Sequence, residues 1–205
     1  MSTPSRRAVA VAGHTGDADT ARAGLRSDDA AVRATALGAL QRLGRLDADD
    51  VRTALHDDDP GVRRRAAEVA ARHRDVDLVG ALADSDVRVV EMAAWACGEH
   101  ESDRREVVEA LIVLAGTAEE PLVREAAVAA LGAIGDPRGV PAIIAACSDK
   151  PAVRRRAVLA LAPFDGDDVD ATVERALSDR DWQVRQAAED LRRVTAGDDD
   201  RPRRS

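Results

Sequence analysis

The chain has 205 residues, of which 45% are hydrophobic and only 1% aromatic, and its formal net charge is −8. So few large rings exclude a core built around aromatic side chains, and stability must come from many small contacts at about 25 cal/mol per Å² of buried apolar surface. Two cysteines exclude a disulfide framework. The apolar run at residues 8–12 is too short for a signal-peptide core or a membrane span.

In chain order, the strongest pattern is a Val-Arg dipeptide that returns at a near-regular spacing. Six such dipeptides have their valines at positions 32, 62, 87, 123, 153 and 184, in steps of 30, 25, 36, 30 and 31 residues. After Val32 and after Val123, small or aliphatic residues follow at offsets 4, 5, 7, 8 and 11, which fall on one face of an α-helix. A period of this length predicts a stack of helical pairs, each with a first helix, an acidic turn and a second helix.

The expected boundaries follow from prolines at helix starts and glycines after helix ends. Pro60, with Asp59 as N-cap, begins a second helix, and Gly44, Gly98 and Gly135 are expected to end theirs. We predict a repeat domain over 17–195, preceded by a flexible segment at 1–16 and followed by a disordered charged tail at 196–205. Its six repeats are expected at 17–44, 47–74, 75–100, 103–135, 136–164 and 167–195.

The repeats resemble a known family. Val32-Arg33, Ala36, Leu40 and Gly44 of the first repeat, with their counterparts in the fourth, match the pattern Asp-x-x-Val-Arg-x-x-Ala-x-x-Ala-Leu-x-x-x-Gly. This pattern is similar to the short HEAT-like repeats named after phycobilisome (PBS) lyases. The resemblance covers roughly 17–195 and implies an all-α, right-handed α-solenoid (alpha-alpha superhelix, armadillo-type fold) of about six helical pairs. It implies little about activity, since one fold serves many functions.

The charged residues are biased in type. The chain has 27 aspartates against 11 glutamates, and 29 arginines against the single Lys150. This profile resembles proteins of halophilic archaea, in which a hydrated acidic surface maintains solubility at high salt. A bacterium with a GC-rich genome remains the alternative source. We expect a cytoplasmic protein.

The arginines divide into two groups. In the family that the repeats resemble, the arginine after each valine typically bonds to turn carboxylates and carbonyls of adjacent repeats. This implies a structural ladder formed by Arg33, Arg63, Arg124, Arg154 and Arg185. The arginines that follow in the second and fifth repeats, Arg64, Arg65, Arg155 and Arg156, form a candidate interaction surface. Within it, Arg64 and Arg155 are expected to be solvated, because a side chain two residues after the repeat valine points away from the core.

The third repeat departs from this pattern. Glu91 stands at offset four, where the other repeats have alanine, and Trp95 stands at offset eight. A buried carboxylate costs free energy unless it is paired. One interpretation is an Arg88–Glu91 ion pair within an irregularly packed helix. The other is a binding site that includes Arg88, Glu91 and Trp95, and these three residues join the candidate interaction surface.

The function that the pattern favours is a non-enzymatic protein–protein interaction scaffold or adaptor, because a repeat array offers an extended concave surface. A nucleic-acid-associated protein using the inner arginines is an alternative, disfavoured because phosphate contacts weaken steeply in a salt-rich cytoplasm. A lyase-like enzyme or an enzyme's accessory subunit is a further alternative. The chain has one His-Glu pair, His100-Glu101, whereas a di-iron centre needs several ligands on facing helices. We expect no catalytic residue, metal or cofactor, no membrane association, and a monomer with another protein as its partner.

Overall fold

A computed structural model of the chain describes residues 4–199, with side chains described up to residue 194. Within these residues all regular structure is helical and no strand occurs. The prediction of an all-α solenoid is confirmed. The chain divides into two compact units, Met1–His100 and Glu101–Ser205.

The first unit contains six α-helices and one single-turn 3-10 helix. In chain order they are α1 (Arg6–Thr15), α2 (Ala18–Gly24), α3 (Ala30–Leu43), α4 (Ala48–Ala54), α5 (Pro60–Ala70), the 3-10 helix (Ala81–Ala83) and α6 (Val87–His100). The second helices of the repeats, α3, α5 and α6, pack on one another in sequence, while α2 and α4 pack against α3 and α5. Asp17, Asp29 and Asp59 cap helix starts by accepting backbone N–H groups.

Helix α1 occupies most of the segment that the sequence led us to expect as flexible. Ser5 caps it by accepting the Ala8 N–H at 3.2 Å. Val9 and Ala12 are buried, and α1 packs on α2 and α3. A Cβ on Gly13 would lie 2.9 Å from Ala39, so α1 approaches α3 closely. An apolar run too short to indicate a helix by itself thus covers the end of the helical stack.

The first helix of the third repeat is shorter than the predicted helical pair requires. It is reduced to the 3-10 turn Ala81–Ala83, and no other helix lies between α5 and α6. Val76, Leu78 and Leu82 are buried in this region instead. The second helix, α6, continues past Gly98, and the left-handed residue that follows it is Glu101, at φ +50°.

The repeat valine of α6 is Val89, not the valine of the Val-Arg dipeptide. Asp86 caps α6, and Val89 follows it by three residues, as Val62 follows Asp59 in α5. Val89 is fully buried, whereas Val87 is 44% exposed. In this frame the buried Ala93 stands at offset four. The expected irregularity at Glu91 was wrong, because the frame of the repeat lies two residues further on.

The second unit continues the helical pairs. Its elements are α7 (Arg105–Thr117), α8 (Pro121–Ile134), a 3-10 turn (Pro137–Gly139), α9 (Val140–Ala146), α10 (Pro151–Ala160), α11 (Asp167–Ala176) and α12 (Trp182–Asp199). The second helices α8, α10 and α12 pack in sequence, and α7, α9 and α11 pack against them. The predicted disordered tail begins inside α12, and its residues 200–205 lie outside the described residues.

The exposed side of α12 carries charged residues beside the exposed Trp182 and Val194. Glu189 and Arg192 are exposed at the offsets where α10 buries Val158 and Leu161.

Candidate interaction surface

Four arginines each connect their own repeat to the turn of the following repeat. Each donates from Nε and Nη2 to both oxygens of one aspartate, at 2.5–2.9 Å. The pairs are Arg33–Asp57, Arg63–Asp84, Arg124–Asp149 and Arg154–Asp179. Nη1 donates to carbonyl oxygens of the arginine's own turn, as Arg63 does to Asp57 and Asp58. The paired side chains are at most 20% exposed, so these arginines stabilise the stack and have little surface to offer a partner.

The ladder also determines the charge state of the turn aspartates. Hydrogen bonds from the arginines hold the pKa of Asp57, Asp84, Asp149 and Asp179 below the ordinary 3.8, against an opposing effect of partial burial. Three of these carboxylates also accept the backbone N–H two residues later, as Asp57 does from Asp59 at 2.9 Å. Each such aspartate therefore orders its own turn as well as the neighbouring repeat.

Two Val-Arg arginines depart from this geometry. Among the described residues, Arg185 of α12 donates only from Nη1, to the carbonyl oxygen of Asp179 at 2.7 Å. Arg88 lies at the start of α6 and pairs with its N-cap residue Asp86, with Nη2 3.0 Å from Oδ2. This hydrogen bond lowers the pKa of Asp86 to about 2. Arg88 therefore neither joins the ladder nor forms the expected ion pair with Glu91.

In the second unit, the faces of α8 and α10 that point away from the core form a shallow apolar groove of about 490 Å³. Ala129, Gly132 and Ala133 of α8 line it, together with Leu159 and Ala160 of α10 and the residues that follow α10. A Cβ on Gly132 would lie 2.7 Å from Cα of Ala160, so the two backbones approach closely beneath the groove. Leu159 is 38% exposed at its edge. We refer to this feature as the α8/α10 groove.

Arg156 borders the α8/α10 groove and is poorly bonded. Its Nε lies 3.4 Å from Oε1 of Glu125 but is not oriented to donate a hydrogen bond, and this buried atom has no other partner among the described residues. Its Nη2 donates to the same oxygen at 3.4 Å. Arg155 is half-buried, not fully solvated as expected, and makes no ion pair with any residue up to 194.

The corresponding arginines of the first unit are arranged differently. Arg65 pairs with Glu68 one turn later in α5, with Nη1 2.6 Å from Oε1. Its guanidinium lies directly over Gly38 of α3 and occupies the space between the two helices. Arg64 is half-buried and has no ion-pair partner in the described part of the chain. The predicted arginine surface therefore exists as two separate sites with different local structures.

On α6, Glu91 and Trp95 lie four residues apart and share one helix face. Trp95 is 43% exposed, and Glu91 is half-buried. Offsets two and six in the corrected frame point away from the core, like those of Arg155 and Leu159 on α10. The repeat pattern predicted a packed position for Trp95 and did not indicate the groove residues Gly132 and Leu159. The absence of charge at offset six of the fourth and fifth repeats, Ala129 and Leu159, was the signal for the groove.

With this geometry established, the comparisons with known proteins identify the family. The sequence profile of HEAT repeats matches residues 76–151 and 119–192, together more than half of the chain. The chain belongs to the HEAT repeat family. No curated protein sequence matches it.

Solved structures share the fold at low sequence identity. An X-ray structure of YibA from Escherichia coli is 19% identical with a TM-score of 0.66, covering 96% of this chain and 80% of that one. A designed armadillo repeat protein in complex with the peptide (KR)4 is 17% identical with a TM-score of 0.62, covering 86% and 98%. Human deoxyhypusine hydroxylase, in complex with glycerol, is 19% identical with a TM-score of 0.50, covering 94% and 79%. At these identities the likeness shows the fold alone.

Three of the four histidines of this HEAT-repeat chain form hydrogen bonds within the first unit. His100, from the single His-Glu pair, is buried, and its Nε2 lies 2.7 Å from the carbonyl oxygen of Ala70 in α5. His56 and His73 bond to Arg52 and Gln41. Among residues 4–194, no three His, Cys, Asp or Glu side chains are grouped so that they could hold a metal ion. In the second unit, burial raises the pKa of the Cys147 thiol to about 11.

No helix among the described residues combines the length and the apolar character needed to cross a membrane.

Proposed function

We propose that this HEAT-repeat chain is a non-enzymatic scaffold or adaptor that binds another protein through the outward faces of its second helices. In arrays of stacked helical pairs this is the extended surface used for recognition. The α8/α10 groove carries the proposal, because it exposes apolar surface at Leu159 where a solvated helix face would carry charge. The exposed Trp95 on α6 is a second apolar element of the same kind. A structural neighbour in complex with a peptide agrees with this use of the fold.

The non-enzymatic part of the proposal is supported by the roles of the polar residues. The Val-Arg arginines bond to turns, and His56, His73 and His100 bond to backbone or amide oxygens. For a lyase-like enzyme or accessory subunit, the described residues offer no group of metal-ligating side chains. A nucleic-acid-binding surface is disfavoured because the chain carries a formal net charge of −8, which opposes binding to a polyanion.

Four narrower points remain predictions from the sequence. They are membership of the PBS-lyase type of HEAT-like repeat, a halophilic archaeal origin, a cytoplasmic location and a monomeric state. The signature in the first and fourth repeats supports the first. The excess of aspartate supports the second less strongly than its number suggests, because aspartates such as Asp59 and Asp84 cap helices or close the ladder. Sedimentation and cell fractionation test the last two.

Affinity capture from the source organism tests the proposed function. We expect at least one protein that the wild-type chain retains to be lost from Leu159→Glu or Trp95→Ala. Val113→Glu is the control, because Val113 is 58% exposed on α7, a first helix, and a charge there leaves the second-helix surface intact. Partners that survive both surface variants but are lost from Val113→Glu would place recognition on the first helices and contradict the proposal.

A further inference from the structure

We propose that the α8/α10 groove binds a short acidic and apolar segment of a partner protein. An aliphatic side chain of that segment would lie in the groove, and a neighbouring carboxylate would bond to Arg156. This inference rests on the proposed scaffold function and specifies the chemistry of the partner.

The floor of the groove suits an aliphatic side chain. Its volume of about 490 Å³ falls within the ~300–1,000 Å³ typical of ligand pockets. Gly132 and Ala160 keep the floor low, because the two helix backbones approach closely there. Leu159 forms an exposed apolar side of the groove. An inserted side chain would bury apolar surface on both partners without displacing any charged group of the chain.

The charge at the edge of the groove selects a carboxylate. A ladder guanidinium such as that of Arg154 binds its aspartate through two bonds of 2.7–2.9 Å. Arg156 instead makes one bond of 3.4 Å to Glu125, and its buried Nε has no hydrogen-bond partner in the described residues. A planar guanidinium binds a carboxylate most strongly in the bidentate manner. Arg155, the preceding residue, adds a second positive charge, so a basic segment would be repelled.

The first unit contains a natural control with the groove closed. Arg65 stands at the same offset as Arg156 but bonds to Glu68 of its own helix and covers Gly38. Leu159 stands at the offset of Glu68, so Arg156 has no carboxylate one turn later in its helix. Leu159→Glu would reproduce the arrangement of the first unit at the second. The substitution supplies Arg156 with a partner and replaces the apolar side of the groove with a charge.

The test uses the full chain and a fluorescently labelled peptide, acetyl-Asp-Glu-Leu-Leu-Glu-Asp-amide, with binding followed by anisotropy. We expect wild-type protein to bind it and Leu159→Glu to weaken binding about tenfold or more. Arg156→Ala should weaken it about fivefold, whereas Arg64→Ala on α5 should leave it unchanged. A basic peptide in which lysine replaces every acidic residue should not bind. Circular dichroism melts confirm that each variant is folded.

Three results would overturn the inference. The first is equal binding of the acidic peptide to wild type and Leu159→Glu, or no binding to either. The second is preferential binding of the basic peptide. The third is a wild-type dimer, seen by sedimentation, that Leu159→Glu dissociates, which would make a second copy of the chain the occupant. If the peptide fails but captured partners are still lost from Leu159→Glu, the acidic chemistry is wrong and the scaffold function stands.

Discussion

The helix pairs α3/α5 and α8/α10 share the same framework but differ in their outward surfaces, one of which is closed by an arginine while the other forms an open groove. In both, a Val-Arg arginine connects the repeat to the next turn, and α5 and α10 each carry two further arginines. The difference arises six residues after the repeat valine, where α5 has Glu68 and α10 has Leu159. Glu68 holds Arg65 over the helix pair, whereas Leu159 leaves Arg156 at the border of an open groove. One outward position therefore decides whether an arginine closes a surface or borders a binding site.

The arginine–aspartate pairs of the ladder occur in both helix pairs, and acid should weaken all four of them together. We therefore expect acid to cause the largest loss of stability. The pKa values of Asp57, Asp84, Asp149 and Asp179 are lowered below 3.8 in the folded chain. Each pair therefore contributes full stability above the ordinary pKa and loses it as pH falls through the lowered folded value. In urea unfolding followed by circular dichroism, the free energy of unfolding should be steady above about pH 5 and fall steeply toward pH 3. A flat or rising profile would contradict the ladder's role.

A single rung can be removed at α10. Arg154→Ala should lower the free energy of unfolding by about 2–3 kcal/mol, because it leaves the carboxylate of Asp179 partly buried without its partner. Arg185→Ala is the matched control. It removes one hydrogen bond to a carbonyl oxygen and should cost about 1 kcal/mol or less. Equal losses of thermal stability in the two variants would show that the bonds to the aspartate carboxylate add nothing to the stability of the fold.

The two helix pairs should also differ in how they tolerate alanine at a glycine between their helices, Gly132 in one pair and Gly38 in the other. An added Cβ at Gly132 would meet the backbone of Ala160, so Gly132→Ala should force α8 and α10 apart at a cost of about 1–3 kcal/mol. An added Cβ at Gly38 would meet only the guanidinium of Arg65, the mobile end of a long side chain. Gly38→Ala should therefore be near neutral, helped by the better helix propensity of alanine. If Gly38→Ala is the more costly variant, Arg65 is held more firmly than its single ion pair suggests.

The sequence was sufficient for the framework because the framework repeats. Valine, alanine and leucine at fixed offsets predicted the second helices and their buried faces. In the third repeat the dipeptide predicted the wrong frame, because Val87-Arg88 is a chance match and Val89 is the buried valine. The position of the capping aspartate Asp86, three residues before Val89, was the better guide.

The surfaces were less predictable because they depend on which partner an arginine selects. Arg65 and Arg156 stand at the same offset, yet one bonds forward within α5 and the other bonds back to Glu125 of α8. No repeat pattern encodes that choice. Helix α1 was not predicted because its apolar face is short. The helix is stabilised by its packing on α3, which the sequence of α1 alone does not show.

The smallest expected effects on stability concern Arg64 and Arg155, which stand at the same offset on α5 and α10. Neither has an ion-pair partner among the described residues, and each side chain is half-buried. Arginine stems can cover apolar neighbours while the charged head stays in water. Alanine at either position should therefore change the free energy of unfolding by no more than about 0.5 kcal/mol.

Peptide binding should nevertheless separate these two variants. Arg155→Ala should weaken the acidic peptide about two- to fivefold and reduce the salt dependence of its binding, because a charge beside the α8/α10 groove steers an acidic segment. Arg64→Ala should leave binding unchanged, because Arg65 already closes the surface next to it. Equal weakening by both variants would mean that the general positive charge of the second helices attracts the peptide. In that case the difference between Glu68 and Leu159 would not govern recognition, and the contrast between the two helix pairs would be structural only.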